Sequence, residues 1–572
     1  MNATIALYCN DQSNNFDRMP PKVTAAVATV HGCDKKITEG KLLTMKKLRR
    51  HIKYALGISN DFYQECPGDP EVGGEVQGKG DVPSLWCMVS STLLRAHRAL
   101  YRGISLPIHK NNDGYVDDVD TWAGSIASDP EITTMVLNHL QEGAQKWADL
   151  QDVVGQSTAF HKCFVQILSH TLERNQYKID YELTHSMVLH DSKGAGTKIK
   201  FIRADEPNPG LGFHTCPDGN QKHEFQTRKE KTLHICNASK SISLDQPTAH
   251  TMLTSRLVPQ ASYVMRLSQF SEKQCDELDI LVNKTFLPLL KVNRNTPRAV
   301  VHGPIQYGGM NIMKHLALQD QWNLHYFVQS LRWDDIVAND ILTVLDAYQL
   351  LSGFVTPVLT APAIVITYTP QGLITHIRSR LNALSGELHI EKAWTPKLQR
   401  KEDDSIMERV SANNELSKTE KRLTNELRIY KRVICISDLA SPDGATIPWD
   451  RLQADHNWRA LPPHEFDMEW PNVPPPTSAH YLAFRKALRK IFCTSMGPCQ
   501  RRSYILDTPL GQWRICNRHM LHSGYIDETL TVYHCTSEGI FKCKQTSTSK
   551  VYEVEELQVQ LPPTAIPTHV TP

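Results

Sequence analysis

The sequence has no long apolar run. Its most hydrophobic stretch, Gly353–Tyr368, is interrupted by Pro357, Pro362 and three threonines. That is too short and too broken to cross a bilayer, so buried strands or loops are expected there. Nor is there an excess of one charge: 63 Lys+Arg against 61 Asp+Glu leave a formal charge of +2. Any polyanion partner must therefore be met by local clusters. Met1–Tyr8 has no basic segment leading into an apolar core, which argues against a secretory leader. The 14 cysteines fall in no repeating frame, and the reading is reduced thiols in an intracellular protein, nuclear or cytoplasmic. P-loop and dinucleotide fingerprints are both missing, and heptads are not sustained, which removes common nucleotide-binding folds and a long coiled coil.

What is present, over 572 residues that are 40% hydrophobic, suffices for several ordinary globular cores. The most informative stretch is Asn112–Asp120, Asn-Asp-Gly-Tyr-Val-Asp-Asp-Val-Asp. Turn-prone residues before Tyr115 predict a two-strand hairpin with Asp117 and Asp118 at or near its turn. Side chains alternate along a strand, so neighbouring carboxylates cannot both enter an apolar core. Unpaired buried carboxylates are costly, so the pair either faces water or holds a cation.

Along the chain, Thr4–Cys9 reads as a core strand ending near Asp11, which serves either as a terminal cap or as a group reaching a cleft. Lys35–Leu56 has apolar residues at helical spacing, with Lys46, Lys47, Arg49, Arg50 and Lys53 around them. It is expected to be one helix with a basic face, either solvated or touching phosphate. Gly73–Gly80 holds four glycines, a loop feeding a helix over Ser84–Tyr101. A further helix is expected over Pro130–Asp149, with strands at Phe164–Leu168 and Thr197–Arg203. Pro217-Asp218-Gly219-Asn220 predicts a hairpin turn between Leu211–His214 and Glu224-Phe225.

These residues, in order, resemble a known family. Asp11 with Phe16-Asp17, Val76-Gln77-Gly78, Tyr115-Val116-Asp117-Asp118, Lys162 and Leu211-Gly212 resemble the palm motifs of reverse transcriptases, most of all the non-LTR (LINE-like) retrotransposon branch. Pro297–Val300 and Tyr307–Ile312 resemble the thumb of the same elements, so the likeness covers roughly residues 4–330. It implies an α+β right-hand palm, an antiparallel sheet with helices on one face, then a helical thumb and a small C-terminal α+β segment. It also implies an RNA-directed DNA polymerase using an RNA template, a DNA primer and dNTPs. Asp11, Asp117 and Asp118 would hold two Mg²⁺, with Mn²⁺ as a substitute, and the Gln12 carbonyl would be a further ligand. Hard cations of this kind take oxygen donors, and two about 4 Å apart serve the attacking and leaving oxygens of an in-line displacement. Phe16 matches the steric gate against a ribose 2′-hydroxyl. Gln77 and Gly78 would lie on the incoming nucleotide, Lys162 would assist the leaving pyrophosphate, and Leu211 and Gly212 would grip the primer. Val76 departs from the usual proline, and Asn15 from a frequent alanine. The fingers that precede Asp11 in the family have no counterpart in the ten residues before it. An inactive or domesticated fragment that binds RNA without polymerising is the alternative.

Beyond the palm (1–235) and thumb (236–335), residues 336–470 form a connection of unknown role, with a surface helix or helical hairpin expected over Asn414–Val433. Pro462-Pro463 and Trp470–Pro476 mark a boundary. Residues 471–557 carry a basic helix (Arg485–Arg489), strands near Tyr504–Leu506, Trp513–Cys516 and Thr529–Tyr533, and a scatter of Cys and His. That scatter lacks the paired Cys-x-x-Cys spacing of zinc knuckles, so buried thiols are the default. Residues 558–572 are an expected disordered tail.

Overall fold

The computed structural model describes residues 4–11, 20–54, 57–63, 82–105, 109–110, 112–115, 118–125, 131–173, 176–182, 185–210, 212–242, 244–333, 335–441, 444–453, 460, 470–471, 473–494 and 503–511. It also describes four strands between 523 and 557. The chain divides into two compact units, one of Met1–Asn208 with Cys216–Asn220, the other of Pro209–Thr215 with Gln221–Pro572. Both are mixed α and β.

The first unit is built on β1 (Thr4–Asp11), α1 (Pro21–Val30), α2 (Lys35–Lys46), α3 (Val82–Leu100), β2 (Asn112–Tyr115), β3 (Asp118–Ser125), α4 (Ile132–Val153), β4 (Phe164–Leu168), β5 (Met187–His190) and β6 (Gly196–Ile202). The six strands form one sheet in the order β5-β6-β4-β1-β3-β2. Strand β6 runs parallel to β4, and the other neighbours are antiparallel. The run β1-α-β2-β3-α-β4, with sheet order 4-1-3-2, is the split βαβ arrangement.

Alternation sets this sheet. Thr4, Ala6, Tyr8 and Asn10 of β1 are buried while Ile5, Leu7 and Cys9 are half-buried, the period of two expected of a strand with one covered face. On β3, Val119, Thr121 and Ala123 are the buried set, and they lie opposite Asn10, Tyr8 and Ala6. Helix α4 covers this face with Ile132, Val136, Leu140 and Ala144, spaced along one helical stripe. Gly143 brings α4 close to Tyr101, whose hydroxyl donates to the Trp122 carbonyl at 2.8 Å. A Cβ at Gly143 would lie 2.6–2.8 Å from the tyrosine ring. The imidazole of buried His97 bonds the Gly143 carbonyl through Nε2 at 2.8 Å, and burial pushes its pKa down.

Two expectations are corrected here. The helix expected over Lys35–Leu56 ends at Lys46, and Arg50–Tyr54 instead pairs as a strand with Gly57–Tyr63. Aromatic contacts hold that hairpin: the Arg49 guanidinium lies 4.5 Å from the Phe62 ring centre, and His51 stacks on the same ring. Cross-strand contacts of this kind outweigh a weak helical preference. The turn at Pro217–Asn220 joins a strand to a helix rather than two strands. Phe213–Thr215 pairs with Asn208–Gly210, and the chain after the turn enters a helix at Lys222. Gly219 at φ +78° and the Asn220 amide on Asp218 Oδ1 make the turn, an arrangement that suits either continuation.

The second unit is mainly helical: α5 (Lys222–Ser241), α6 (Glu272–Leu289), α7 (His315–Trp333), α8 (Ile336–Ser352), α9 (Lys418–Lys431) and α10 (Ser478–Ile491). An antiparallel meander of Ser523–Ile526, Val532–Cys535, Ile540–Gln545 and Tyr552–Leu557 follows. The expected strand at Trp513–Cys516 and the tail lie outside the described residues. Gly353–Tyr368 is a loop whose first half enters the core through Phe354, Val358 and Leu359, while Ala363, Val365 and Thr367 are exposed. Within the expected Asn414–Val433, helix α9 begins at Lys418 with a Ser417–Glu420 capping box, and from Thr424 onward it is buried in the core rather than lying on the surface. Its Arg428 and Lys431 are fully buried. The Arg428 guanidinium donates to the Leu350 and Leu351 carbonyls at 2.6 and 2.8 Å and to Asn425 Oδ1 at 2.8 Å. These partners replace lost water and let a charged residue sit inside.

Gly143→Ala should cost about 1–3 kcal/mol through overpacking against Tyr101, read as a lower denaturation midpoint. Because His97 has a lowered folded pKa, its unfolded form takes up protons first. The first unit should therefore lose stability as pH falls through about 6.5 and below. His97→Gln should flatten that part of the stability profile.

Candidate active site

Strand β1 ends at Asp11, and antiparallel register sets the last pairs as Cys9–Asp120, Asn10–Val119 and Asp11–Asp118. On the other side of β3, Gly114 pairs with Val119 and Tyr115 with Asp118. Asp118 is therefore flanked by both neighbours at one end of the sheet. Opposed positions in an antiparallel pair are about 4.5–5.5 Å apart at Cα. Only two residues, Val116 and Asp117, join β2 to β3, and both lie outside the described residues.

Strand β4 brings a third position to the same end. Its register with β1 finishes at Cys9–Phe164, and two residues further along the two chains stand Asp11 and Lys162. Lys162 is exposed in the turn before β4, with its amide donating to the Ala159 carbonyl at 2.8 Å. Main-chain topology thus gathers positions 11, 118 and 162, which are remote in sequence, at the ends of three adjacent strands.

Below these ends the sheet is sealed by buried polar groups. The Cys163 thiol donates to the Ala159 carbonyl at 3.4 Å and to Asn10 Oδ1 at 3.6 Å. Burial, then the neighbouring Cys163, pushes the Tyr8 hydroxyl well above its usual pKa, so it stays a neutral phenol. The hairpin carries more acid than the expected pair, since Asp113 lies opposite Asp120. Asp113 accepts the Trp122 indole N–H at 3.2 Å, a structural role that sequence inspection does not disclose. Among the described residues no group of three or more His, Cys, Asp or Glu side chains is arranged to hold a metal.

Of the other expected site residues, Gln12, Phe16, Gln77, Gly78 and Leu211 lie outside the described residues. Gly212, in the second unit, adopts φ +80° just before the strand Phe213–Thr215. Its carbonyl accepts from the Arg228 guanidinium at 2.6 Å. Arg228 is also ion-paired with fully buried Glu224. Glu224 in turn accepts from the His214 amide and the His214 ring Nδ1, both at 2.8 Å. Helix α5 therefore anchors the Gly212 segment through a buried Glu–Arg pair one turn apart. The spacing of Glu224 and Arg228 was the available signal, but exposed helical pairs share it. In the C-terminal segment Cys493 is buried and unoxidised. His534, Cys535 and Cys543 lie on strands, and Cys499, Cys516, His519 and His522 are outside the described residues.

Removing one member of the buried pair strands the other charge. Arg228→Met should cost about 3–5 kcal/mol in the second unit. The double variant Arg228→Met, Glu224→Gln should recover a large part of that in a double-mutant cycle by chemical denaturation.

No family model and no curated protein matches the chain. Among solved structures it is similar to telomerase from Candida albicans in complex with the TWJ fragment of telomeric RNA. The identity is 11%, the coverage 58% of this chain and 49% of that one, and the TM-score 0.21. A likeness that faint decides nothing about this chain, which spans about half of that protein's length. Among the described residues no helix is long and apolar enough to cross a membrane.

Proposed function

We propose that this chain carries the palm and thumb of a retroelement RNA-directed DNA polymerase that extends a primer 3′-hydroxyl. The observation that supports it most is the strand register, with Asp11 opposite Asp118 beside a hairpin whose two-residue connection contains Asp117. The register puts main-chain positions 11 and 118 level with each other, and the ordered motif set is what suggests a shared role for them.

Asp11, Asp117 and Asp118, with the Gln12 carbonyl, are the groups that would hold magnesium. Their hard oxygen donors suit that ion. Two bound ions would stabilise both the attacking and the leaving oxygens of nucleotidyl transfer. Lys162, level with this end of β1, would neutralise charge growing on the departing pyrophosphate. Phe16 would close the pocket against a 2′-hydroxyl, and the Gly212 segment, tied down by Arg228, would position the primer terminus.

Primer extension by the full chain on an RNA template, with dNTPs and Mg²⁺, tests the reading. Asp118→Asn or Asp11→Asn should reduce product at least about a hundredfold, since even partners of metal ligands cost about 10–100-fold. Phe16→Ala should admit ribonucleotides. Independently of turnover, Mg²⁺ or Mn²⁺ should raise the melting temperature of the unaltered chain but not of the Asp11→Asn, Asp118→Asn variant. Salt-dependent RNA binding with no extension by the unaltered chain would point instead to a binding relic.

A further inference from the structure

The second unit contains an open groove of about 1000 Å³ between α9 and α10. Its cations come from one helix: Arg485, Lys486, Arg489 and Lys490 line it, against the carboxylates of Glu420 and Asp507. They form two rows, Arg485–Arg489 and Lys486–Lys490, each stepping about 6 Å along the helix. Tyr504 supplies an aromatic wall. Trp449 packs edge-on to Tyr504, and the Arg485 guanidinium lies 5.3 Å from the Trp449 ring centre. One arginine is therefore held by an aromatic platform, while Lys486, Arg489 and Lys490 are exposed.

We infer that this groove binds single-stranded nucleic acid, with the lysine and arginine rows on successive phosphates beside the Tyr504 wall. Basic tracks interleaved with aromatic faces are the general means of holding an unpaired strand. A membrane surface calls for a convex or flat face rather than a concave one. The lysines are held in place for exchange. Lys486 pairs with Glu420 at 2.5 Å, and Lys490 pairs with Glu415. Lys490 and Glu415 are both exposed, and exposed pairs are weak, so phosphate can replace that carboxylate at little cost. The site is separate from the strand ends of the first unit and does not depend on the polymerase reading.

The test is binding of a short labelled oligouridylate to the full chain across a salt series, without nucleotides. Arg489→Gln with Lys490→Gln should weaken binding about tenfold at low salt. The same change should flatten the slope of log affinity against log salt by about 0.7 for each phosphate that the groove ceases to neutralise. Glu415→Gln, which frees Lys490 and lies outside the α9 capping box, should tighten binding about two- to threefold. A gain of this kind cannot come from misfolding. Unchanged affinity and slope in the double variant overturn the inference, as does no tightening in Glu415→Gln. So does a double variant that loses binding to anionic vesicles while keeping its RNA affinity. Repeating the series on the Asp118→Asn chain separates the outcomes, because that change should abolish extension and leave groove binding intact.

Discussion

The register of β1 between its two neighbours is the constraint on which the first unit depends. Strand side chains alternate with a period of two, so a slip of one residue would turn Ala6, Tyr8 and Asn10 out of the core and bring Ile5, Leu7 and Cys9 in. Helix α4 locks the choice, because its apolar stripe fits only the small and aromatic set. Gly143 and Tyr101 set how closely that helix approaches. Once register is settled, Asp11 has no alternative but to end level with Asp118. The sheet end is thus determined by packing well away from it.

This placement works against stability. Asp113 lies opposite Asp120, and like charges directly across a strand pair are unfavourable. The indole of Trp122 relieves part of this at Asp113.

The second unit meets the opposite problem, burying cations. Arg428 satisfies carbonyls near the end of α8, and Gly353 follows there in the left-handed region at φ +72°. A Cβ at Gly353 would sit 2.5 Å from the Arg428 guanidinium, so the glycine leaves room for the arginine that replaces water at that helix end. Arg228 likewise donates to the Gly212 carbonyl, with Glu224 as counterion. In both places a buried guanidinium fixes a glycine turn, and its multiple donors, fixed in a plane, explain why arginine is used. Cations along α10, by contrast, stay at the surface, where Lys486 pairs with Glu420 and Lys490 with Glu415.

How much of this was legible beforehand follows from the range of the interactions. The apolar run of β1, the apolar helix α3, the stripe of α4 and the hairpin at Tyr115–Asp118 are local patterns, and they were readable as such. The end of α2 at Lys46 was not, because the hairpin after it is held by contacts of Arg49 and His51 with Phe62, more than ten residues further on. The burial of Arg428 and Lys431 was equally hidden, since a charged helix reads as exposed until its carbonyl partners are known. Nor did the prolines at 474–476 reveal that one core draws on residues from Phe327 to Leu510, on both sides of them. By itself the sequence determined periodicity, turn chemistry and the order of the acidic motifs. Only the tertiary structure decided that Asp11 lies opposite Asp118, because strand pairing is a long-range choice made by the burial of one face.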